Sequence, residues 1–302
     1  MTQLGLVAIG RNEGERLRRC LSSARPQFAH LVYVDSGSSD DSVAFARSIG
    51  AEVVSLDPRE PFTAARARNA GFSRLMQVAP ALQFVQFVDG DCEVVSNWPR
   101  KGLAHIQTHP KAAVVCGRRR ERYPEASIYN YLCDLEWDTP VGRANACGGD
   151  ALIRVEAFSQ AGGYNEELIA GEEPDLCFRL RKAGWEVWRI DAEMTLHDAA
   201  MTRLSQWWRR NVRSGHASAE ELLRRQREGE EGPFKEVLSN VVWSLPGSWP
   251  LWPLLWMRIY RRERDLSYAT FTVLGKLPHC QGQLQFWANR LRGKGARLIE
   301  YK

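Results

Sequence analysis

The sequence predicts an α/β protein built on a mostly parallel central sheet, followed by a basic helical C-terminal extension. Three observations predict it. Short apolar runs alternate with amphipathic stretches over the first ninety residues, the pattern of successive βαβ units. Polar clusters close the first, second and fourth of those runs, where open α/β sheets place their ligands. The charge is also divided: residues 1–200 hold 23 Lys/Arg against 27 Asp/Glu, whereas 201–302 hold 18 against 9, together with seven of the eleven tryptophans.

Taken in order, residues 4–9 are an apolar run that passes into Gly10-Arg11-Asn12-Glu13-Gly14, as a buried strand passes into a loop. Residues 16–24 have helical spacing, and 31–34 form a second strand, closed by Asp35-Ser36-Gly37-Ser38-Ser39-Asp40. A helix over 42–49 stops at Gly50, a residue that commonly ends helices. A strand at 52–56, a helix at 64–76 and a strand at 84–88 follow, the last ending at Asp89-Gly90-Asp91. Beyond residue 110 the pattern loosens. It gives a strand at 112–116, an amphipathic segment at 128–137 and a turn at Cys147-Gly148-Gly149-Asp150. Gly171-Glu172-Glu173-Pro174-Asp175 then stands directly before a helix at 176–183, followed by a strand at 186–190 and a long basic helix at 204–225. Residues 228–233 form a linker, so 1–232 are expected as the main domain and 233–302 as an extension.

Residues 237–257 are free of charge for 21 positions, nearly the length that spans a bilayer. Pro246, Pro250 and Pro253 interrupt them, and an internal proline removes a helix hydrogen bond and clashes with the preceding turn. Two short apolar pieces lying in a membrane interface fit better, with Trp243, Trp249, Trp252 and Trp256 at headgroup depth. A cap packed on the main domain and a true span are the alternatives. The basic residues that follow favour anionic lipid. The Trp and Pro content argues against a nucleic-acid groove. Peripheral contact with a membrane, and no nucleic-acid partner, is the expectation.

The 302 residues are 44% hydrophobic and 25% charged, with a net charge of +5, ordinary values for a globular protein. Seven cysteines in no zinc-binding spacing suggest reduced thiols in a cytoplasmic protein. The first residues show no basic segment followed by an apolar one, so no secretory signal is expected.

Asp89 and Asp91 end a buried strand two residues apart. Such a pair can hold a hard divalent cation, Mg²⁺ or Mn²⁺, which in turn neutralises a diphosphate. Gly90 between them allows close approach of the backbone. Asp175 suits the start of a helix, where a carboxylate complements the dipole. The adjacent Glu172 and Glu173 raise each other's pKa, which suits a general base for an acceptor hydroxyl. A neutral His197 is a reasonable further metal ligand, although a satisfied core histidine is the plainer reading of that residue alone.

The order of these clusters resembles the inverting, bacterial-type family 2 glycosyltransferases of the GT-A fold, over roughly residues 5–225. The resemblance implies a nucleotide-diphosphate sugar donor, a divalent metal and a hydroxyl acceptor, such as a lipid-linked saccharide or polysaccharide precursor. It implies that Asn12, Glu13 and Asp35 line the nucleoside, with Ser36 where many relatives carry a second Asp. It implies that Arg68 and Asn69 lie near the phosphates and that Asp89 and Asp91 form the metal motif, with Asp91 the direct ligand and His197 beside it. Gly148, Gly149 and Asp150 match the loop beneath the donor sugar, and Glu172 and Glu173 the acidic pair whose second member is the base. Gln206, Trp207, Arg209 and Arg210 match a variant of the Gln-x-x-Arg-Trp motif that closes over the diphosphate. Trp137 and Trp185 are read as core, or as walls for a sugar ring. The enzyme is expected in the cytoplasm, at the inner face of the cell membrane.

The alternatives are a nucleotidyltransferase, which needs no carboxylate base, and a non-catalytic sugar-nucleotide or lipid-binding module. A dinucleotide-binding dehydrogenase is disfavoured, because the first strand lacks Gly-x-Gly-x-x-Gly.

Overall fold

The computed structural model describes residues 3–293, and the chain forms two compact units. The first takes the chain up to Arg122, then Glu136–Glu167 and Glu172–Ala199; the second takes Tyr123–Leu135, Leu168–Gly171 and the chain from Ala200 onward.

In the first unit, β1 (Leu4–Gly10), α1 (Glu15–Ala24), β2 (His30–Asp35), α2 (Ser42–Ser48), β3 (Glu52–Ser55), α3 (Ala64–Val78) and β4 (Phe84–Asp89) follow one another as the alternation predicts. All seven residues of β1 are buried, so the strand is covered on both faces and reads as a continuous apolar run. Helix α1 buries Leu17, Cys20, Leu21 and Ala24, a single stripe at three- and four-residue spacing. Helix α3 begins at the N-cap Thr63, whose hydroxyl accepts the Arg66 N–H at 3.1 Å.

Next come β5 (Cys92–Val94), α4 (Trp98–Thr108) and β6 (Ala112–Glu121). Helix α5 (Ile128–Glu136) lies mainly in the second unit. Back in the first unit are β7 (Gly142–Arg143), β8 (Ala151–Arg154), α6 (Val155–Gln160), α7 (Glu172–Lys182) and β9 (Glu186–His197). The sheet runs β3-β2-β1-β4-β8-β6-β9-β5, with β7 on β9. The strands β3, β2, β1 and β4 are mutually parallel, whereas β8 is antiparallel to both β4 and β6. The chain leaves β1 first toward β2 and later toward β4. The carboxyl ends of β1 and β4 therefore flank a topological switch point, where such sheets bind ligands.

Three boundaries differ from the sequence expectation by four residues or more. Helix α7 begins at Glu172, so Glu172 and Glu173 occupy its first turn rather than a preceding loop. Pro174 is tolerated there because N–H groups of the first turn have no partner within the helix. Strand β6 continues through Arg118–Glu121, and β9 continues to His197 as its final residue. The seven cysteines are free thiols, most of them buried.

The second unit contains α8 (Leu204–Arg227), α9 (Phe234–Ser244), α10 (Trp252–Glu263), α11 (Leu266–Leu274) and α12 (Lys276–Leu291). A 3₁₀ turn over Pro246–Leu251 divides α9 from α10, and thus breaks the apolar segment into pieces as its prolines predict. Ile259, Ala269 and Val273 form a small core with Trp252, Leu255, Trp256, Tyr260 and Tyr268 around it. Asp265 caps α11, accepting the Tyr268 N–H. Among the described residues no helix is long and apolar enough to cross a membrane.

Candidate active site

The loops that leave β1 and β2 are stitched together. The Asn12 side-chain oxygen accepts the Ser39 N–H at 2.8 Å, and the Asn12 N–H donates to Ser38 Oγ at 2.9 Å. One oxygen of Asp35 accepts both the Gly37 and the Ser38 N–H at 3.0 Å, and the other accepts the Tyr33 hydroxyl at 3.1 Å. Glu13 pairs with Arg16 at 2.8 Å. These three expected nucleoside residues therefore shape the strand-end loops through contacts within the chain. The hydroxyl of Ser36 is buried with no hydrogen-bond partner among the described residues.

At the end of β4 the acidic and basic side chains converge. Arg68, projecting from α3 and only 2% exposed, donates to Asp89 at 2.7 Å and to Glu172 at 2.7 Å, and stands 3.6 Å from Glu173. Arg119, from the part of β6 that sequence reasoning missed, lies 2.9 Å from Asp150 and 3.3 Å from Asp89. Asp150 also accepts the Asp89 N–H at 3.0 Å and the Thr195 hydroxyl at 2.7 Å. A Cβ on Gly149 would fall 2.7 Å from the Arg68 guanidinium and 2.8 Å from the Asp89 carboxylate, so a larger residue there would have to push these charged groups aside. At Gly90 the crowding is of another kind. A Cβ there would lie 2.9 Å from the Ile9 carbonyl, to which the Gly90 N–H donates at 2.7 Å.

Two guanidiniums thus face four carboxyls, and the excess of negative charge falls on Glu173. Burial, and then the charge of Glu172, push its pKa up to about 7, with Arg68 pulling the other way. Burial would also raise Asp89, but Arg68 and then Arg119 outweigh it and hold that carboxyl well below the usual range. Asp89 was expected among both the sugar-nucleotide and the metal residues; here its two oxygens are held by arginines.

Asp91 and His197 form the neighbouring group. His197 Nε2 is 3.3 Å from Asp91 Oδ2, and both residues are 6% exposed. Asp91, Cys92 and His197 offer ligand atoms that all lie within 4.8 Å of one another, as do those of Asp89, Cys92 and Asp150. Burial and nearby carboxylates raise the Cys92 thiol far above its ordinary value, so it stays protonated. Trp137 stands edge-on to the His197 ring at 4.7 Å, with the Arg119 guanidinium 5.5 Å over its own ring. It is a wall of this group. Trp185 packs on the core instead.

Asn69 and Gln206 serve locally. The Asn69 amide donates to the Tyr164 carbonyl and to Glu166, both at 2.8 Å, and accepts the Tyr164 N–H at 2.9 Å. It therefore anchors the 164–166 segment. Gln206, on α8 of the second unit, accepts the Thr202 and Arg203 N–H groups at 3.0 Å and caps its own helix. Arg209, on the same helix, donates to the Ser205 carbonyl at 3.3 Å, and Arg210 follows it. The signal for the missed residues was faint: Arg119 and Glu121 stand two apart, on one face of a strand, inside a run of charges that reads as loop.

Residues 7–160 match the model of the glycosyl transferase family 2. The succinoglycan biosynthesis protein ExoA of Rhizobium meliloti is 24% identical over 196 residues, 60% of this chain and 58% of that protein. The pre-mycofactocin glycosyltransferase of Mycobacterium tuberculosis is 29% identical over 225 residues, 69% of this chain and 45% of that protein. The chain spans about half the length of these relatives. Among solved structures, the mannosyltransferase PcManGT from Pyrobaculum calidifontis, in complex with GDP-Man and Mn²⁺, superposes with a TM-score of 0.64 at 16% identity, over 95% of this chain and 88% of that one. The glucosyl-3-phosphoglycerate synthase of Mycobacterium tuberculosis, in complex with phosphoglyceric acid, reaches 0.53 at 19% identity, over 74% and 79%. At these identities the likeness is one of fold, and both neighbours are glycosyltransferases.

Proposed function

Since the chain belongs to glycosyl transferase family 2, with the α/β GT-A fold, we propose that it transfers a sugar from a nucleotide-diphosphate donor to an acceptor hydroxyl with inversion at the anomeric carbon. Family membership also removes the grounds for a nucleotidyltransferase or a non-catalytic binding module.

One observation carries the reading. A single buried guanidinium, that of Arg68, joins the acidic end of β4 to the first turn of α7, and in that cluster Glu173 is the carboxyl poised near neutral pH. A base whose pKa lies near the working pH is the most effective. In this mechanism Glu173 accepts the acceptor's hydroxyl proton as the acceptor oxygen bonds to the anomeric carbon and the bond to the diphosphate breaks. Attack from the face opposite the leaving group inverts configuration in one step. Glu172, bonded to Arg68, supplies the charge that helps keep Glu173 poised, and Gly149 and Asp150 set the floor beneath the sugar.

The residues present fit a divalent cation: a carboxylate and an imidazole, both nearly buried, face each other across 3.3 Å at Asp91 and His197. A mixed oxygen and nitrogen donor pair suits Mn²⁺ better than the all-oxygen preference of Mg²⁺. Such an ion would neutralise charge on the departing diphosphate. The nucleoside is assigned to the loops held by Asn12, Glu13 and Asp35.

Catalysis is assigned to residues 1–232 and attachment to 233–302, at the inner face of the cell membrane, where a lipid-linked acceptor is within reach. The support is an exposed apolar series on α9, the 3₁₀ turn and α10, including Leu245, Trp249, Leu251 and Leu254, followed by exposed Arg258, Arg261 and Arg262. A screen of nucleotide sugars for transfer by the wild-type chain and by E173Q tests the assignment. Donor should bind to both and react only with the first. Equal transfer rates would defeat it.

A further inference from the structure

The final residue of β6, Glu121, lies directly across the sheet from His197, its register partner on β9. The Glu121 side chain is fully buried and stands 3.5 Å, Oε2 to Nδ1, from the His197 ring. The opposite nitrogen, Nε2, faces Asp91. Nδ1 itself is buried and makes no well-formed hydrogen bond among the described residues. The same Glu121 oxygen accepts the Ala199 N–H at 3.1 Å, which fixes the carboxylate just beyond the histidine. Trp137 closes the ring's edge at 4.7 Å.

We infer that Glu121 is a positioning residue: its carboxylate holds the proton of His197 on Nδ1, so that the lone pair of Nε2 points with Asp91 at one cation. The inference rests on the cation reading of Asp91 and His197. An imidazole with one nitrogen facing a carboxylate and the other facing a metal site has its tautomer set by the carboxylate. Two β-strands bring this buried carboxylate opposite the histidine.

The test is Mn²⁺ binding to the full chain, read as free Mn²⁺ by electron paramagnetic resonance, for wild type, E121A, E121Q and H197A. Loss of an outer carboxylate of this kind weakens metal binding about 10–100-fold, so that loss is expected for E121A. E121Q, whose amide oxygen accepts the same proton, should recover most of it. Wild-type affinity in E121A overturns the inference, and so does an equal loss in E121Q, because bulk charge would then be enough. Wild-type binding by H197A removes the cation reading itself, a result distinct from the other two. The ¹⁵N imidazole spectrum of the wild-type chain decides the matter even where E121A does not fold: His197 should carry its proton on Nδ1, and a proton on Nε2 overturns the inference.

Discussion

Arg119 and Asp150 meet at 2.9 Å, with the Asp150 side chain fully buried. Further contacts of this pair run to the Asp89 carboxylate, the Asp89 N–H and the Thr195 hydroxyl. The ends of β4, β6, β8 and β9 are therefore tied by charge as well as by the backbone ladder.

Removing Arg119 leaves Asp150 buried without its cation, a situation that costs about 3–5 kcal/mol in comparable buried pairs. R119A should lower the unfolding midpoint in urea by the corresponding amount, whereas R119K, which keeps the charge and loses the fork, should fall between. A midpoint for R119A equal to wild type would mean that the strand ends need no such tie.

With Glu173 as the proposed base, its pKa raised to about 7, the reaction requires it ionised, so kcat/KM should rise with pH and level off above about 7. The stability linkage has the opposite sign. Between its ordinary value and about 7 the folded state holds a proton that the unfolded chain has released. Glu173 therefore contributes stability that is complete below its unfolded pKa and is lost as pH rises through about 7. Rate profiles and urea titrations at several pH values read the two trends, and a rate limb at pH 4–5 would show that another group is the base.

Glu172 gives a sharper version of that experiment. Burial is the main cause of the Glu173 shift and the Glu172 charge the second. E172Q should move the acid limb of the profile to lower pH without returning it to the value of a free carboxyl. An unmoved limb would show that the two side chains do not share the titration.

Much of this was legible in the sequence, for reasons that lie in particular residues. Strand β1 is buried on both faces, so its identity is written as an uninterrupted apolar run, and β2 reads the same way, as does β4 apart from the buried Gln86. The polar clusters after them mark the site because loops there carry no core. The extensions of β6 and β9 were hidden because their charges are met across the sheet. Arg120 pairs with Glu193 at 3.5 Å and Arg119 with Asp150, partners that lie far away in sequence. The start of α7 was hidden by Pro174, which looks like a break yet sits where a first turn accepts it. The local duties of Asn69 and Gln206 were invisible, since an amide that pins a loop and one that contacts a ligand are the same letter.

The apolar series on α9 and α10 leads to the last prediction. Leu251 is 50% and Leu254 68% exposed, so replacing both with Glu should leave folding nearly untouched, as exposed substitutions do. Burying a leucine in a membrane interface is worth roughly 1.5–3 kcal/mol, and each nearby arginine adds about 1 kcal/mol on anionic lipid. Flotation with vesicles containing phosphatidylglycerol should therefore recover wild type, recover less at high salt, and recover the double variant at least about tenfold less. Pure phosphatidylcholine should bind more weakly than the anionic mixture, because the arginines lose their counterpart. Equal recovery of wild type and the double variant would place the membrane contact elsewhere or remove it.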